Sequence, residues 1–388
     1  MDRIVANSVL QRAGLDRIAA KVFADERISI DDALELYRCR DLHALGLLAD
    51  HVREKKNGNT ATYVFNLYLN YSNVCILSCQ FCSFAKKPKQ EGAFEYDIDE
   101  LVRQSREAFE RGITEVHMVG GLHPKLPFEF YIETVRRLKQ ECPGLKVKAF
   151  TAIEIRHLAE RIAKKPLLET MQILREAGLD SLTGGGAEIF DPVVRDQVCR
   201  GKETAEEWLE VHRLWHGLGM RSTCTMLYGH VETLEHRVDH LNRLRALQDE
   251  TGGFTAFIPF AFEPENNKLS RLGRVSAFED LRNLAVARIF LDNFEHITAY
   301  WVSLTLPIAQ IALSYGVDDL HGTIMQEKIF HMAGSTTPQE QTVQALERVI
   351  REAGRIPVQR NTFYEKIGRP GSLPPGRLDL PSGLVASN

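Results

Sequence analysis

The chain lacks the marks of a membrane protein and of a nucleic-acid binder. No stretch of its 388 residues reaches the ~18 apolar positions that a spanning helix requires. It has no excess of positive charge: 48 Lys and Arg stand against 52 Asp and Glu, a net charge of -4, so no basic field draws polyanions. The single short basic run, "KKPK" at residues 86–89, is broken by Pro88 and reads as a solvated loop. Cysteine is scarce, and its count of seven is odd, which argues against a disulfide framework and for a reducing compartment. The opening "MDRIVANSVLQRAG" is too polar for a signal peptide. A cytoplasmic protein without membrane or nucleic-acid partners is therefore expected. Internal repeats and low-complexity blocks are missing too.

What is there is ordinary globular material, 44% hydrophobic and 26% charged, enough for one large barrel or two medium domains. Residues 1–60 read as a helical N-terminal extension. In "SIDDALELYR", Ser29 and Asp32 resemble a capping box, followed by an apolar stripe at Ile30, Ala33, Leu34 and Leu36. Strand-like segments then recur at 63–73, 114–121, 146–151, 180–185, 221–229, 254–260, 296–303 and 315–322, with amphipathic helical stretches between most of them. Eight strands alternating with helices predict an α/β fold, a (β/α)8 TIM-type barrel, complete or partial, over residues 61–365. A doubly wound sheet is the competing arrangement. A last helix is expected to start at Thr337, with Pro338 and Glu340 in its first turn. Residues 366–388, rich in Pro and Gly, read as a separate tail.

Three of the seven cysteines, Cys75, Cys79 and Cys82, fall within "CILSCQFC", while Cys39, Cys142, Cys199 and Cys224 are scattered. A structural zinc site takes four ligands, usually in two pairs. The bacterial ferredoxin run also needs a fourth clustered cysteine. Three thiolates can instead hold three irons of a [4Fe–4S] cube and leave the fourth open, as catalytic metal sites do. A zinc knuckle with a distant fourth ligand and three buried thiols are the alternatives.

In a barrel, chemistry gathers where strands end. The second segment ends in "VGGLHP", where Gly120 and Gly121 allow close approach to a ligand and His123 offers a polar group. The third ends at Thr151 and Glu154, a carboxylate for ribose hydroxyls or an ammonium, or a helix cap. The fourth ends in "TGGGAEIF", with Gly184, Gly185 and Glu188. The fifth carries His230 and Glu232, the sixth "FIPFAFEPENN", and the eighth Asp318, Asp319 and His321. Such polar clusters fit a polar or anionic substrate.

The C-x3-C-x2-C spacing after a first barrel strand resembles the signature of the radical S-adenosylmethionine enzymes. With "VGGLHP", "GGGAEIF", "TMLYGHVET", "PFAFEPENN" and "DDLHGT", it resembles the branch that makes menaquinone by the futalosine route and the deazaflavin of coenzyme F420. "TMLYGHVET" is similar to that superfamily's G-x-I-x-G-x-x-E stretch, with its first Gly and Ile replaced. Within the branch, "HMVGGLHP" and "DDLHGT" resemble the aminofutalosine synthases. The cyclic dehypoxanthine futalosine synthases and deazaflavin-forming enzymes tend to carry "QGG" and Gly-Gly-Thr, where this chain has Val119 and His321.

The resemblance implies a [4Fe–4S] cluster on Cys75, Cys79 and Cys82, and S-adenosylmethionine bound near Gly120, Gly121, Glu154, Gly184, Gly185 and Glu188. It implies addition of a 5′-deoxyadenosyl radical to the enolpyruvyl benzoate 3-[(1-carboxyvinyl)oxy]benzoate, with His123, His230 and His321 as catalytic candidates. An electron donor such as flavodoxin or ferredoxin is implied as partner. The sister cyclisation and deazaflavin activities, an iron–sulfur electron carrier and a zinc-stabilised binding module are the competing readings.

Overall fold

The computed structural model describes residues 3–367, so the tail read at 366–388 lies almost wholly outside the described residues. Ten strands are seen: β1 (Thr60–Val64), β2 (Asn66–Leu69), β3 (Glu115–Met118), β4 (Lys146–Ala149), β5 (Ser181–Leu182), β6 (Arg221–Tyr228), β7 (Phe254–Ala261), β8 (His296–Ile297), β9 (Asp319–Gly322) and β10 (Ile356–Arg360). β2 to β8 form one seven-stranded sheet in sequential order, every pair parallel. Helices intervene between successive strands, as parallel connections require.

The sheet curls, and residues 318–325 bridge its two edges. On one side Asp318 N donates to Ile297 O (3.2 Å) and Ala299 N to Asp319 O (2.8 Å). On the other, Thr323 N donates to Val64 O (3.1 Å) and Tyr68 N to Met325 O (2.9 Å). All eight strand segments read from the sequence are thus present, though β5 and β8 shrink to two residues each.

β10 is an addition. It pairs with β1 from Thr60↔Ile356 to Val64↔Arg360, forming a β10-β1-β9 sheet at the strands' start. Arg360 there donates to both oxygens of buried Asp319 (2.6 and 3.0 Å).

Four helices, Arg3–Arg12, Asp16–Phe23, Ile30–Arg38 and Leu42–Asn57, precede the strands. The Ser29–Asp32 capping box forms as read. Tyr37 fixes this region to the barrel's outer layer by donating to Asn283 Oδ1 (2.7 Å) in helix Ala277–Phe290.

The last helix begins later than expected, at Val343 with Thr342 as its cap. Thr337 is taken up elsewhere. Its carbonyl lies 2.6 Å from His331 Nε2 and its hydroxyl 2.9 Å from that of Ser335, while Gln341 N is tied to Thr323 O (2.9 Å). Among the described residues, no helix is long and apolar enough to cross a membrane.

Candidate active site

The ends of the strands surround a cavity of about 260 Å³. Its walls come from the segments after β2 (Cys75, Cys79, Cys82), β3 (Gly120, Gly121), β4 (Thr151, Glu154) and β5 (Gly184, Gly185, Gly186, Glu188). Tyr300 follows β8, and His321 lies in β9. The three clustered thiols and seven of the nine site residues that the resemblance implied beside them therefore meet in one space, across some 250 residues of chain.

The cysteine segment is irregular backbone pinned from several sides. Cys75 N donates to Lys86 O (2.9 Å), Ile76 N to Leu122 O (3.1 Å) and Gln80 N to Val198 O (2.8 Å). The ammonium of Lys87 donates to three successive carbonyls, those of Cys75 (3.0 Å), Ile76 (2.9 Å) and Leu77 (2.8 Å). The basic run read as a solvated loop thus includes a clamp on the cysteine segment.

Burial pushes the Cys79 thiol up to about 12 and raises Cys82 as well. Three thiols on one wall of a cavity are soft donors of the kind that suits a metal centre. Among the described residues, no three His, Cys, Asp or Glu side chains converge as ligands of one ion would. A [4Fe–4S] cube takes one thiolate per iron, so three thiols on one wall fit three of its irons. Cys39, Cys142, Cys199 and Cys224 do not line the cavity.

The glycines are there for close packing. A Cβ on Gly121 would stand 2.3 Å from Val74 O, beside the cysteine segment, and one on Gly184 would stand 2.5 Å from the Cα of Cys224. Arg195 secures the glycine turn by donating to the carbonyls of Ala187 (2.5 Å), Ile189 (3.2 Å) and Gly186 (3.3 Å).

Glu154 borders the cavity, but its carboxylate is already satisfied. It accepts from Tyr71 OH (2.7 Å), Gly120 N (3.0 Å), Thr151 N (2.8 Å) and Thr151 Oγ1 (2.7 Å). Four donors fill its acceptor capacity. The capping alternative is the one realised, and Glu154 holds the Gly120 turn in place. Glu188 pairs with Lys202, a cavity residue that sequence reasoning missed. Burial opposes both charges, but each stabilises the other, so Glu188 is held below its ordinary range and Lys202 well above.

Two histidines do not reach the cavity. His123 Nδ1 accepts from the amides of Lys125 (3.2 Å) and Leu126 (2.9 Å), and its Nε2 lies 2.9 Å from Glu95. His230 is turned into its own loop, Nδ1 accepting from Val231 N (2.7 Å) and Nε2 lying 3.0 Å from Leu227 O. Backbone claims both ring nitrogens of His230, while His123 is shared between its own turn and Glu95, so neither lines the cavity as expected.

His321 does line the cavity, 2% exposed, at φ +63°. Its Nε2 lies 2.7 Å from Tyr68 OH. Tyr68, His117 and Tyr300, none singled out from the sequence, complete this wall. Tyr68 stacks on His117 with ring centroids 4.3 Å apart, and Tyr300 meets His321 edge-on at 5.1 Å.

Two family models match the chain: the radical SAM superfamily over residues 69–244, and the CofH/MqnC C-terminal region over 251–373. An aminodeoxyfutalosine synthase of Thermus thermophilus is 49% identical over 90% of this chain and 95% of its own length. A cyclic dehypoxanthine futalosine synthase of Streptomyces coelicolor is 40% identical over 92% of this chain and 90% of its own. Among solved structures, the FeFe-hydrogenase maturase HydG from Carboxydothermus hydrogenoformans superposes with a TM-score of 0.72 at 17% identity, covering 93% of this chain and 83% of that one. The chain belongs to the radical SAM superfamily, in the branch that carries the CofH/MqnC C-terminal region, and has the radical SAM barrel fold.

Proposed function

We propose that this chain is an aminodeoxyfutalosine synthase. It joins the 5′-deoxyadenosyl group of S-adenosylmethionine to 3-[(1-carboxyvinyl)oxy]benzoate. The adduct radical rearranges onto the aryl ring, takes up water as it loses a carboxylate as bicarbonate, and gives back one electron and a proton, so that 6-amino-6-deoxyfutalosine and methionine are formed with no net redox change. The observation that carries this reading is the shared cavity, with the three motif thiols on one wall and His321, Tyr68 and Tyr300 on another. The identity to the Thermus relative supports it.

Cys75, Cys79 and Cys82 would hold the [4Fe–4S] cluster. When bound, that group supplies the single electron that cleaves S-adenosylmethionine to methionine and the adenosyl radical. The chain's own residues position the reactants and keep water away. Lys87 fixes the cysteine segment through its carbonyls. The Gly120–Gly121 turn, held by Glu154, and the Gly184–Gly186 turn, held by Arg195, bring backbone close to the co-substrate. Lys202 and Glu188 offer a charged pair to its polar end. The apolar wall, with Ile258, Phe260 and Phe330, excludes water from a neutral radical. No acid–base machinery is required for radical addition, and the neutral His321 is suited to hydrogen bonding.

The electron comes from an external donor such as flavodoxin or ferredoxin, and the setting is the cytoplasm. The test is an anaerobic assay of reconstituted protein with S-adenosylmethionine, a reductant and the enolpyruvyl benzoate, read by mass spectrometry. An adenosyl adduct is expected. Free 5′-deoxyadenosine without adduct would move the assignment to the cyclisation activity of the 40%-identical relative.

A further inference from the structure

One end of the cavity carries polar groups that no part of the protein satisfies. The Nδ1 atoms of His117 and His321 are both buried and have no hydrogen-bond partner. Their rings lie 6.4 Å apart, centroid to centroid, and both line the cavity. A buried polar atom left unpaired is costly, and native structures keep few of them.

Tyr68 OH lies 2.7 Å from His321 Nε2. A phenol that donates to that nitrogen leaves the neutral imidazole its hydrogen at Nδ1, so in this pairing the unpartnered atom of His321 is a donor.

The backbone adds a second, independent observation. His321 sits at φ +63°, a region natural to glycine and strained for a histidine. The chain bears that strain and gains an imidazole on the cavity wall.

Charges of both signs stand near this end, and the acidic ones have partners: Glu327, also on the cavity wall, lies 2.6 Å from His331 Nδ1. Lys148 is buried, stands in register with His117 on the neighbouring strand, and its charge reaches both imidazoles. Of the acidic groups whose charge reaches Lys148, Glu115 is engaged by Asn66 (3.2 Å) and Thr362 (2.8 Å), and Asp319 by Arg360 and Thr62. The rings of Tyr300 and Phe260 flank the same end, 4.9 Å apart and close to perpendicular.

We infer that the His117–His321 end of the cavity is an aryl-carboxylate subsite. Nδ1–H of His321 donates to the carboxylate, His117 supplies a second hydrogen bond, Lys148 provides the positive field, and the Tyr300–Phe260 corner holds the ring. On the proposed function, on which this assignment rests, the group seated there is the ring carboxylate of the benzoate. The enol ether then points back toward the thiol-lined wall.

The experiment measures Kd by equilibrium dialysis on cluster-reconstituted protein with S-adenosylmethionine and no reductant, so that nothing turns over. Two probes are compared: 3-[(1-carboxyvinyl)oxy]benzoate and the same enol ether without its ring carboxylate. Wild-type protein is expected to bind the first roughly tenfold to hundredfold tighter, the range for hydrogen bonds to a charged group. In His321→Gly, which accepts the positive φ without strain, and in His117→Phe, that preference collapses toward unity. His321→Asn, whose amide donates and tolerates the same backbone, restores part of it.

Equal preference in wild type and His321→Gly, with both folded by circular dichroism, overturns the subsite. If those same proteins still form the adenosyl adduct, the proposed function stands and only the subsite falls. If wild type binds neither probe, both fall.

Discussion

Tyr68 and His321, 253 positions apart in sequence, meet at 2.7 Å inside the barrel. Tyr68 comes from β2, the strand that leads into the cysteines, and His321 from β9, the strand that closes the circuit. The contact ties one edge of the curled sheet to the strand that bridges both, and holds a cavity-lining imidazole in place. Loss of the phenol should therefore be felt in ligand binding as well as stability. In Tyr68→Phe, buried His321 loses its partner at a cost of about 1–3 kcal/mol. Thermal melting should fall accordingly, and the preference for the ring carboxylate should weaken. A variant with unchanged melting and unchanged preference would show that this bond is idle.

The cluster assignment makes a sharp contrast among the seven cysteines. Ala at Cys75, Cys79 or Cys82 should abolish bound iron and sulfide after anaerobic reconstitution. Ala at Cys199 or Cys224, both buried outside the cavity lining, should leave iron content near wild type. Iron lost from Cys199→Ala with the fold intact would mean that the ligand set is wrong.

Lys87 should matter more than its exposed position would imply. Its ammonium holds three carbonyls of the cysteine segment, so Lys87→Met removes three charge-assisted bonds at once. Exposure to solvent limits the cost to about 1 kcal/mol. The expected signature is slower and less complete cluster loading with little change in secondary structure, partly recovered in Lys87→Arg. Iron stoichiometry against reconstitution time measures it.

Acid should destabilise the fold through its buried histidines. Burial lowers His216 to about 4 and His240 to about 3, from an ordinary 6.5. Between those values and 6.5 the unfolded chain binds protons that the native state refuses, so stability rises with pH there and is lost as pH falls. Each group accounts for about 2 kcal/mol between pH 6.5 and 5. His240→Gln, which keeps a donor for Thr225 O, should show a shallower fall in melting temperature over that range. An unchanged slope would refute the assignment.

The barrel and the cluster site were legible for the same reason: both are written in local pattern. Strand and helix segments alternate along the chain, and the three cysteines lie within eight positions. The subsite at His117 and His321 was only half legible. His321 stood out beside a glycine at a strand end, but His117 sits in mid-strand, where "TEVHMVGG" gives no sign that the barrel interior is polar. The hint was the register: Tyr68, His117 and Lys148 are aligned on three adjacent strands and so share a face. Pairing of that kind is a tertiary fact. His123 and His230 do not line the cavity because a histidine within a tight turn can be held by its own backbone, at both ring nitrogens in His230 and at Nδ1 in His123, whose Nε2 goes to Glu95. Sequence shows the residue type but not that claim on it.

The last prediction separates addition from hydrogen abstraction at the level of one residue. An addition enzyme consumes the adenosyl radical into product, whereas an abstracting enzyme releases it as 5′-deoxyadenosine. If His321 anchors one end of the substrate, it also fixes how far the vinyl carbon lies from the 5′ carbon. Bond formation needs those atoms about 3–3.5 Å apart, and a displacement of ~1 Å can cost ~100-fold. His321→Gly should thus slow adduct formation far more than it weakens binding of S-adenosylmethionine, because the co-substrate contacts proposed here lie on the other wall. Radicals that form without a substrate in reach are quenched, so the share of S-adenosylmethionine ending as free 5′-deoxyadenosine should rise. Both products are counted in one anaerobic mass-spectrometric assay. A variant that turns over more slowly with an unchanged product ratio would mean that His321 acts on the fold or on co-substrate binding, and not on the approach of the two carbons.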